Sequence, residues 1–343
     1  METLKNITRS IERMYNQPEK LMVLVDEFNL DMLEYIIKSK SGLQITYILT
    51  DSPVVRMHFK YSSRIYPLRA NIRSLLRHDV VDEILCCLTC MPKPVSDEVV
   101  NICRQYGVSL LIPEYGNFPG LKVQRTQYIG KHKMLVMETN PRKTYGYLYK
   151  TLWETSFAAL ALLLMSPLFI AIAVAIKLTG RGPVFFKQLR VGLRGRKFYI
   201  YKFRTMVANA EQLKASLKDM NEADGPAFKM KNDPRITPIG RLLRKTAMDE
   251  LPQLLNVVKG EMSLIGPRPL VPNEASAHEE WHLKRLSIKP GITCTWQMIP
   301  ERNSVTFDQW MELDKHYVEN WSIFYDVRIF LGTIRSFFLA KGI

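Results

Sequence analysis

The pair Asp249-Glu250 is the part of the sequence best suited to chemistry, because cations precede it closely. The stretch reads Arg241-Leu-Leu-Arg244-Lys245-Thr-Ala-Met-Asp249-Glu250-Leu-Pro-Gln253. On a helix, adjacent carboxylates point about 100° apart, so one could attack an electrophile while the other helps to hold a metal ion. The upstream cations, or Mg²⁺ with oxygen ligands, could neutralise a diphosphate. Acid pairs on helices are also common as solvated surface, so the pair alone leaves both interpretations open.

Two further motifs combine a cation with the residues of rigid loops. They are Gly266-Pro267-Arg268-Pro269 and Lys289-Pro290-Gly291-Ile292-Thr293. Both could shape a nucleotide pocket, although ordinary turns have the same composition. The stretch from Lys177 through Met206 carries nine Lys or Arg residues and no Asp or Glu. This composition suits phosphate groups or, equally, a solvated basic surface.

The segment Thr155 to Ile176 has 22 residues and no charge. As a continuous helix it would extend for about 33 Å, enough to cross a bilayer. Ser166-Pro167 lies in its middle, where proline removes a backbone hydrogen bond and predicts a break or kink. Cations on both sides favour keeping both ends in the cytosol, so we expect a re-entrant helix hinged at Ser166 and Pro167, with a full span or a buried core helix as alternatives. The flanking cations are Arg142, Lys143, Lys150, Lys177, Arg181, Lys187 and Arg190.

The first ~115 residues alternate short apolar runs with helical stretches, which predicts a Rossmann-like α/β layer with parallel strands. The predicted strands are Leu21 to Val25, Leu43 to Leu49, Ile84 to Leu88 and Val108 to Ile112, and the predicted helices are Leu30 to Lys38 and Ser96 to Tyr106. The turn after the first strand is Asp26-Glu27-Phe28-Asn29, without the glycines that let a backbone approach a pyrophosphate. A regulatory or docking role is therefore favoured over nucleotide binding.

The composition limits the partners and the compartment. The chain has 343 residues and a formal charge of +15, from 48 Lys and Arg against 33 Asp and Glu, which favours anionic partners. Residues 1 to 20 are polar and do not resemble a signal peptide, so the N-terminus is expected in the cytosol. The five cysteines are expected as reduced thiols. Cys87 and Cys90 form a CxxC, which we interpret as buried structural thiols, with a metal site as the alternative.

Several motifs between Lys150 and Gly342 occur in an order that identifies a family. Together they resemble the bacterial sugar transferase family, the monotopic phosphoglycosyl transferases of exopolysaccharide, capsule and O-antigen synthesis. One difference is Lys150-Thr-Leu-Trp-Glu154, where the family commonly has two basic residues and an Asp. The motifs are the apolar stretch with Ser166-Pro167, Gly182-Pro-Val-Phe-Phe-Lys-Gln188, Arg190-Val-Gly-Leu193, Tyr201-Lys-Phe-Arg-Thr-Met206, Asp233-Pro-Arg-Ile-Thr237, Asp249-Glu-Leu-Pro-Gln253, Gly266-Pro-Arg-Pro269 and Lys289-Pro-Gly-Ile-Thr293.

The resemblance implies a Mg²⁺-dependent, two-step transfer of a sugar phosphate. Asp249 would attack the β-phosphate of a UDP-sugar and release UMP, and polyprenyl (undecaprenyl) phosphate would then take the sugar phosphate from the aspartyl intermediate. Glu250 would support the metal ion together with Asp249. The enzyme would lie on the cytosolic face of the bacterial inner membrane, in contact with membrane lipids. The residues matched to substrate or phosphate binding are Lys202, Arg204, Arg244, Arg268 and Arg302.

The predicted organisation has three parts. Residues 1–140 form the Rossmann-like α/β domain, 141–180 a basic linker and the re-entrant helix, and 181–343 a mainly helical catalytic domain on the membrane surface. An inactive membrane-associated scaffold with the same fold is the alternative function. Nucleic-acid binding is not expected, since no signature of that class is present. A homodimer is expected by base rate alone.

Overall fold

The computed structural model divides the chain into two compact units, Met1–Lys143 and Thr144–Ile343, which are described separately. Within them, the structure describes residues 18–39, 43–61, 64–89, 93–114, 125–129, 131–137, 145–210, 212–213, 230, 233–272, 280–299 and 305–339.

The N-terminal unit is built on a seven-stranded sheet in the order β3-β2-β1-β4-β5-β7-β6. The first five strands of that order pair in parallel, whereas β7 pairs antiparallel with β5 and with β6. This confirms the predicted parallel α/β layer. The strands are β1 Glu19–Val25, β2 Leu43–Leu49, β3 Arg64–Tyr66, β4 Glu83–Cys87, β5 Ser109–Pro113, β6 Arg125–Ile129 and β7 His132–Met137.

The central strands are continuous apolar runs because they are covered on both faces. All five residues of β4 and all five of β5 are buried. Short β3 and two of the helices were not expected from the sequence, since each has fewer than eight residues and little periodicity. The helices of this unit are α1 Leu30–Ser39, α2 Pro53–His58, α3 Ile72–His78 and α4 Lys93–Tyr106.

The turn after β1 is closed by its own first carboxylate. Asp26 caps a 3₁₀ helix, Glu27–Asn29: its Oδ1 accepts hydrogen bonds from the backbone N (3.1 Å) and side-chain Nδ2 (2.8 Å) of Asn29. Its Oδ2 accepts from the backbone N of Thr89, after β4, at 2.6 Å. These N–H groups lie at the carboxyl edge of the sheet, where a nucleotide phosphate would need them.

The cysteines of the described residues behave as structural thiols. Cys86, Cys87 and Cys103 are free and buried, as is Cys294 in the C-terminal unit. Burial raises the pKa of Cys86 to about 12 and that of Cys87 well above its usual value. The interpretation as buried thiols is confirmed for Cys87, and Cys90 lies outside the described residues.

The C-terminal unit combines helices with two small sheets. The sequence analysis predicted a mainly helical domain here and assigned no strands, and the three-residue strands in particular carry no periodicity. Strands β8 and β9 form an antiparallel hairpin, and β10 and β11 form a parallel pair. The elements are α5 Tyr145–Leu164, α6 Ser166–Thr179, β8 Phe185–Val191, β9 Lys197–Phe203, α7 Pro238–Lys245, α8 Leu254–Val258, β10 Ser263–Ile265, β11 Gly291–Thr293, α9 Phe307–Glu319 and α10 Ile323–Leu339, with 3₁₀ helices at Leu193–Gly195, Met248–Gln253, Glu280–Ser287 and Thr295–Met298.

The uncharged segment breaks where proline predicts it. Helix α5 ends at Leu164, α6 begins at Ser166, and the Ser166 hydroxyl donates a hydrogen bond to the Leu163 carbonyl at 2.8 Å. None of the described helices alone combines the length and hydropathy of a membrane span, but α5 and α6 do so as a pair bent by 60°.

Candidate active site

The two central carboxylates lie on a 3₁₀ helix whose direction is set by a left-handed residue. Thr237 begins α7 by accepting a hydrogen bond from the backbone N of Gly240 at 3.0 Å. After α7, Ala247 has φ 52°, a conformation that costs roughly 1–2 kcal/mol outside glycine. The 3₁₀ helix Met248–Gln253 follows, and its three residues per turn separate the side chains of Asp249 and Glu250 by about 120°.

Glu250 is the paired carboxylate. Lys202, on β9, donates a hydrogen bond from Nζ to Glu250 Oε1 at 2.5 Å. Burial opposes ionisation of Glu250, but attraction to Lys202 and Arg268 and hydrogen bonds from Lys202 and Gln253 outweigh it. The pKa of Glu250 therefore lies below its ordinary value.

Asp249 is the unpaired carboxylate. It is 9% exposed, and among the described residues no side chain forms a hydrogen bond or an ion pair with it. Burial is the main cause that raises the pKa of Asp249 to about 6. The Glu250 charge adds to this effect, while Lys202 and Arg244 oppose it. Adjacent carboxylates with pKa values moved in opposite directions are typical of a catalytic pair with divided roles.

Two of the cations predicted to bind phosphate, Arg244 and Arg204, serve different purposes. Arg244 donates from Nε to the Thr205 hydroxyl at 3.0 Å, and its charge reaches Asp249. Arg204 instead directs its guanidinium to the end of α6, where it donates to the carbonyls of Gly180 at 2.9 Å and Arg181 at 3.0 Å. The structure therefore does not bring the Arg204 side chain to the carboxylates.

The two loop motifs come together through their glycines. The Gly266 N–H donates to the Thr293 carbonyl at 3.0 Å, and the Gly291 N–H donates to the Pro267 carbonyl at 2.9 Å. A Cβ on Gly291 would lie 2.1 Å from the backbone N of Gly266, so no larger residue permits this approach. The loop Gly266–Pro269, here the Pro-Arg-Pro loop, thereby carries Arg268 to the site, where its guanidinium lies 5.8 Å from the centre of the Trp296 ring.

A pocket joins these parts. Lys202, Glu250 and Arg268 all line it, whereas Asp249, Arg244 and Arg204 do not. The sequence analysis included Arg190 and Gln253 within motifs but assigned them no role, and it missed Gln297. For Arg190 and Gln253 the available signal was a polar residue inside a motif whose neighbours are predicted to bind phosphate. The lining is Arg190, Ile200, Lys202, Glu250, Gln253, Arg268, Pro269, Gly291, Ile292, Cys294 and Gln297.

Asp249 and Glu250 could hold a magnesium ion only together with ligands from a substrate. Within the described part of the chain, no group of three or more His, Cys, Asp or Glu residues could hold a metal ion. Mg²⁺, however, is commonly bound by one or two carboxylates, with waters and substrate phosphates as its other ligands. Asp249 and Glu250 meet that requirement and would hold the ion jointly with a diphosphate substrate.

The remaining predicted site residues are Arg302 and the two residues of the predicted hinge, Ser166 and Pro167. Arg302 lies outside the described residues, so its assignment to phosphate binding stays a prediction. Ser166 and Pro167 form the break between α5 and α6, and both helices expose apolar side chains. The exposed large apolar residues of the pair are Leu152, Trp153, Phe157, Leu160, Leu163, Leu164, Leu168, Ile170, Val174 and Leu178, with Tyr145 and Tyr149 at the start of α5.

The site and the fold agree with sequence comparisons. The family described as "Bacterial sugar transferase" matches residues 145–340, and the chain belongs to this family of transferases. It is 34% identical over 289 residues to the galactosyl transferase CpsE of Streptococcus agalactiae, which covers 81% of this chain and 64% of that protein. That alignment is longer than residues 144–343, so it includes part of the N-terminal unit.

Two further relatives differ in length. The exopolysaccharide production protein ExoY of Rhizobium meliloti is 38% identical over 209 residues, which are 60% of this chain and 92% of that protein. The undecaprenyl-phosphate glucose phosphotransferase of Komagataeibacter xylinus is 34% identical over 282 residues, 78% of this chain and 50% of that protein. The chain thus spans between half and two thirds of the length of its streptococcal and Komagataeibacter relatives.

Proposed function

We propose that the protein transfers a sugar 1-phosphate from a UDP-sugar to polyprenyl phosphate, through a covalent intermediate on Asp249, in bacterial polysaccharide synthesis. The observation that carries the proposal is the division between the two carboxylates: Lys202 holds Glu250 ionised, whereas Asp249 is buried and has no side-chain partner in the described part of the chain. A desolvated carboxylate is a stronger nucleophile than a solvated one. Two relatives are named as an undecaprenyl-phosphate glucose phosphotransferase and an undecaprenyl-phosphate galactose phosphotransferase, which supports polyprenyl phosphate as the acceptor.

The first half of the reaction releases UMP. An Oδ atom of Asp249 attacks the β-phosphorus of the UDP-sugar, the bond from that phosphorus to the bridging oxygen breaks, and UMP leaves with the electron pair. Lys202 and Arg268, which both line the pocket, stabilise the negative charge of the diphosphate, with Arg268 placed on the phosphate of the departing UMP. Mg²⁺ held by Asp249, Glu250 and the diphosphate would supply further charge neutralisation.

The second half returns the enzyme to its starting state. An oxygen of the polyprenyl phosphate attacks the same phosphorus, the bond to Asp249 breaks, and a polyprenyl diphosphate sugar forms. Two displacements at one phosphorus separate donor from acceptor, so the hydrophilic and the lipid substrates need not be bound at the same time.

The bent pair of helices supports a location at the membrane. An apolar pair of this length with an exposed surface suits a re-entrant hairpin that dips into the cytosolic leaflet of the inner membrane. Helix α10 would lie on that leaflet, since it also exposes an apolar face. That face consists of Ile323, Phe324, Val327, Phe330, Leu331 and Ile334.

Trapping tests the covalent step. The full chain incubated with a UDP-sugar panel and Mg²⁺, without acceptor, should release UMP and gain the mass of a sugar phosphate on the peptide that contains Asp249. Asp249→Asn should gain no mass. An unmodified enzyme that still forms polyprenyl diphosphate sugar would refute the intermediate, and wild-type enzyme without turnover of any UDP-sugar would favour the inactive scaffold.

Labelling tests the hairpin. Single cysteines replace Tyr149 and Leu178, which lie near the two ends of the pair and are 59% and 82% exposed. In intact cells both should resist a membrane-impermeant thiol reagent and react only after permeabilisation. Labelling of either position from the periplasm would contradict the re-entrant topology and indicate a full span.

A further inference from the structure

The backbone of the Pro-Arg-Pro loop is held by buried cations that have no part in the proposed chemistry. Lys150 Nζ donates to the carbonyl of Ile265, just before the loop, at 3.0 Å. Arg285 Nη2 donates to the carbonyl of Arg268 itself at 2.7 Å. Lys150 and Arg285 are 1% and 3% exposed. Both ends of the segment that presents Arg268 are therefore fixed through their carbonyl oxygens.

Lys150 is the centre of a buried network drawn from three helices. Besides Ile265, its Nζ donates to Glu154 Oε1 at 2.8 Å on α5 and to Asp326 Oδ2 at 2.7 Å on α10. These three acceptors match the three donors of an ammonium group. Tyr317 of α9 joins the network, since its hydroxyl donates to Asp326 Oδ1 at 2.6 Å and lies 3.2 Å from the Ile265 carbonyl oxygen.

Arg285, which holds the Arg268 end of the segment, is also paired with a carboxylate on a helix. Its Nη2 lies 2.6 Å from Asp314 Oδ2 on α9, and its guanidinium lies 5.1 Å from the centre of the Trp310 ring. Lys150 and Arg285 thus each connect a carboxylate on a helix to a carbonyl of one short segment. Helices α5, α9 and α10 together determine where Arg268 stands.

Stability alone does not account for these groups. Taking an ion pair out of water costs about as much as the pair returns, so apolar residues of similar volume commonly serve a core equally well. Apolar residues cannot hold a carbonyl oxygen at one place, whereas a donor with fixed partners can. Precision of position is what the buried cations supply, and errors of about 1 Å in a substrate-binding group cost up to 100-fold in rate.

We infer that Lys150 and Arg285 are positioning residues for the donor half-reaction, which they serve by fixing the Pro-Arg-Pro loop so that Arg268 meets the diphosphate. This inference rests on the proposed function for the identity of the substrate. In a two-step mechanism, kcat/KM for each substrate reports its own half-reaction. The UMP phosphate that Arg268 meets has left before the acceptor reacts, so loss of Lys150 acts on the UDP-sugar and leaves the polyprenyl phosphate largely unaffected.

The kinetic test uses the full chain with Lys150→Met and, as a second variant that keeps its charge, Arg285→Lys. Each should lower kcat/KM for the UDP-sugar about tenfold or more, with kcat/KM for polyprenyl phosphate changed less than about threefold. Lys284→Met is the matched control, since Lys284 neighbours Arg285 and forms a partly exposed ion pair with Glu319 of α9 at 2.6 Å. It should change neither constant. Equal losses in both constants would show a general folding defect and overturn the inference.

Two further measurements separate positioning from the chemistry itself. In an Arg268→Ala background, Lys150→Met should add less than about twofold to the donor defect, because the group that it positions is already gone. Fully additive effects would contradict positioning. Hydrogen exchange in the peptide that covers Ile265 to Leu270 should accelerate in Lys150→Met and not in Lys284→Met. This readout decides the inference even if the wild-type enzyme turns over no UDP-sugar, and unchanged exchange there would refute it.

Discussion

Asp26 and Asp249 are two aspartates of one chain in opposite circumstances. Asp26 directly follows β1 and accepts hydrogen bonds from three N–H groups of Asn29 and Thr89. Asp249 follows α7 on a 3₁₀ helix, buried, and among the described residues it has no side-chain partner. The Asp26 carboxylate accepts the hydrogen bonds that close a turn. Under the proposed function, the lone pairs of the Asp249 carboxylate are available to a substrate. The two residues have the same side chain, so the difference between them lies in burial and in hydrogen-bond partners.

Turnover should separate the two aspartates most strongly. Asp249→Asn removes the nucleophile, and UMP release from the cognate UDP-sugar should fall by about 10³-fold or more. Asp26→Asn should stay within about twofold of the wild type, because its carboxylate belongs to the fold of the N-terminal unit. A steady-state UMP assay on both full-length variants measures this. Comparable losses in the two variants would remove the distinction.

The substitutions Asp249→Asn and Asp26→Asn should change the free energy of unfolding in opposite directions. The pKa of about 6 for Asp249 in the folded protein lies above its ordinary value of 3.8, so its ionisation costs stability as pH rises through this window. At pH 8, Asp249→Asn should stabilise the protein by up to about 3 kcal/mol, and below about pH 3.8 the gain should vanish. Asp26→Asn should destabilise by about 1–2 kcal/mol, since N–H groups lose their acceptor. Thermal unfolding at several pH values gives both signs.

The pH dependence of turnover should follow Asp249 alone. Its carboxylate form is the nucleophile, so kcat/KM for the UDP-sugar should fall about tenfold per unit below a midpoint near pH 6. Glu250→Gln should move that midpoint downward, because the Glu250 charge helps to raise the pKa of Asp249. Asp26→Asn is the control and should leave the midpoint in place. A midpoint near pH 4 in the wild type would show that Asp249 is not desolvated.

The smallest expected effect is at the edge of the N-terminal sheet. Since Asp26 occupies the N–H groups there, UDP or UMP should not slow hydrogen exchange in the peptide containing residues 26–29 of the full chain. The peptide with Arg268 should be protected in the same sample. Protection of residues 26–29 would mean that this turn binds nucleotide after all, despite its carboxylates.

Much of the fold was predictable where local pattern and tertiary environment agree. Buried parallel strands are continuous apolar runs, so β1, β2 and β4 were visible in the sequence. The break at Ser166-Pro167 was visible because proline acts on its own backbone. Strands β10 and β11 were not, since strands of three residues have no periodicity and their close approach depends on Gly266 and Gly291.

The site divides along the same line. The motifs drew attention to Lys202, Glu250 and Arg268, and the structure places all three in the lining of one pocket. Arg204 shows the limit of that approach, since its guanidinium caps α6 with hydrogen bonds to three carbonyls of residues 176–181. A cation within a motif can bind the backbone of a helix instead of a substrate, and only the tertiary structure shows which carbonyl oxygens the cation contacts.

The sequence by itself determined the family, the parallel layer of the N-terminal unit, the broken apolar segment and the identity of the two carboxylates. These depend on residue types and on spacing along the chain. The tertiary structure alone decided which carboxylate is paired, which cations face the pocket and how Lys150 reaches Ile265, 115 residues away. Desolvation and hydrogen bonding depend on atoms brought together from distant parts of the chain, and a linear pattern does not specify those distances.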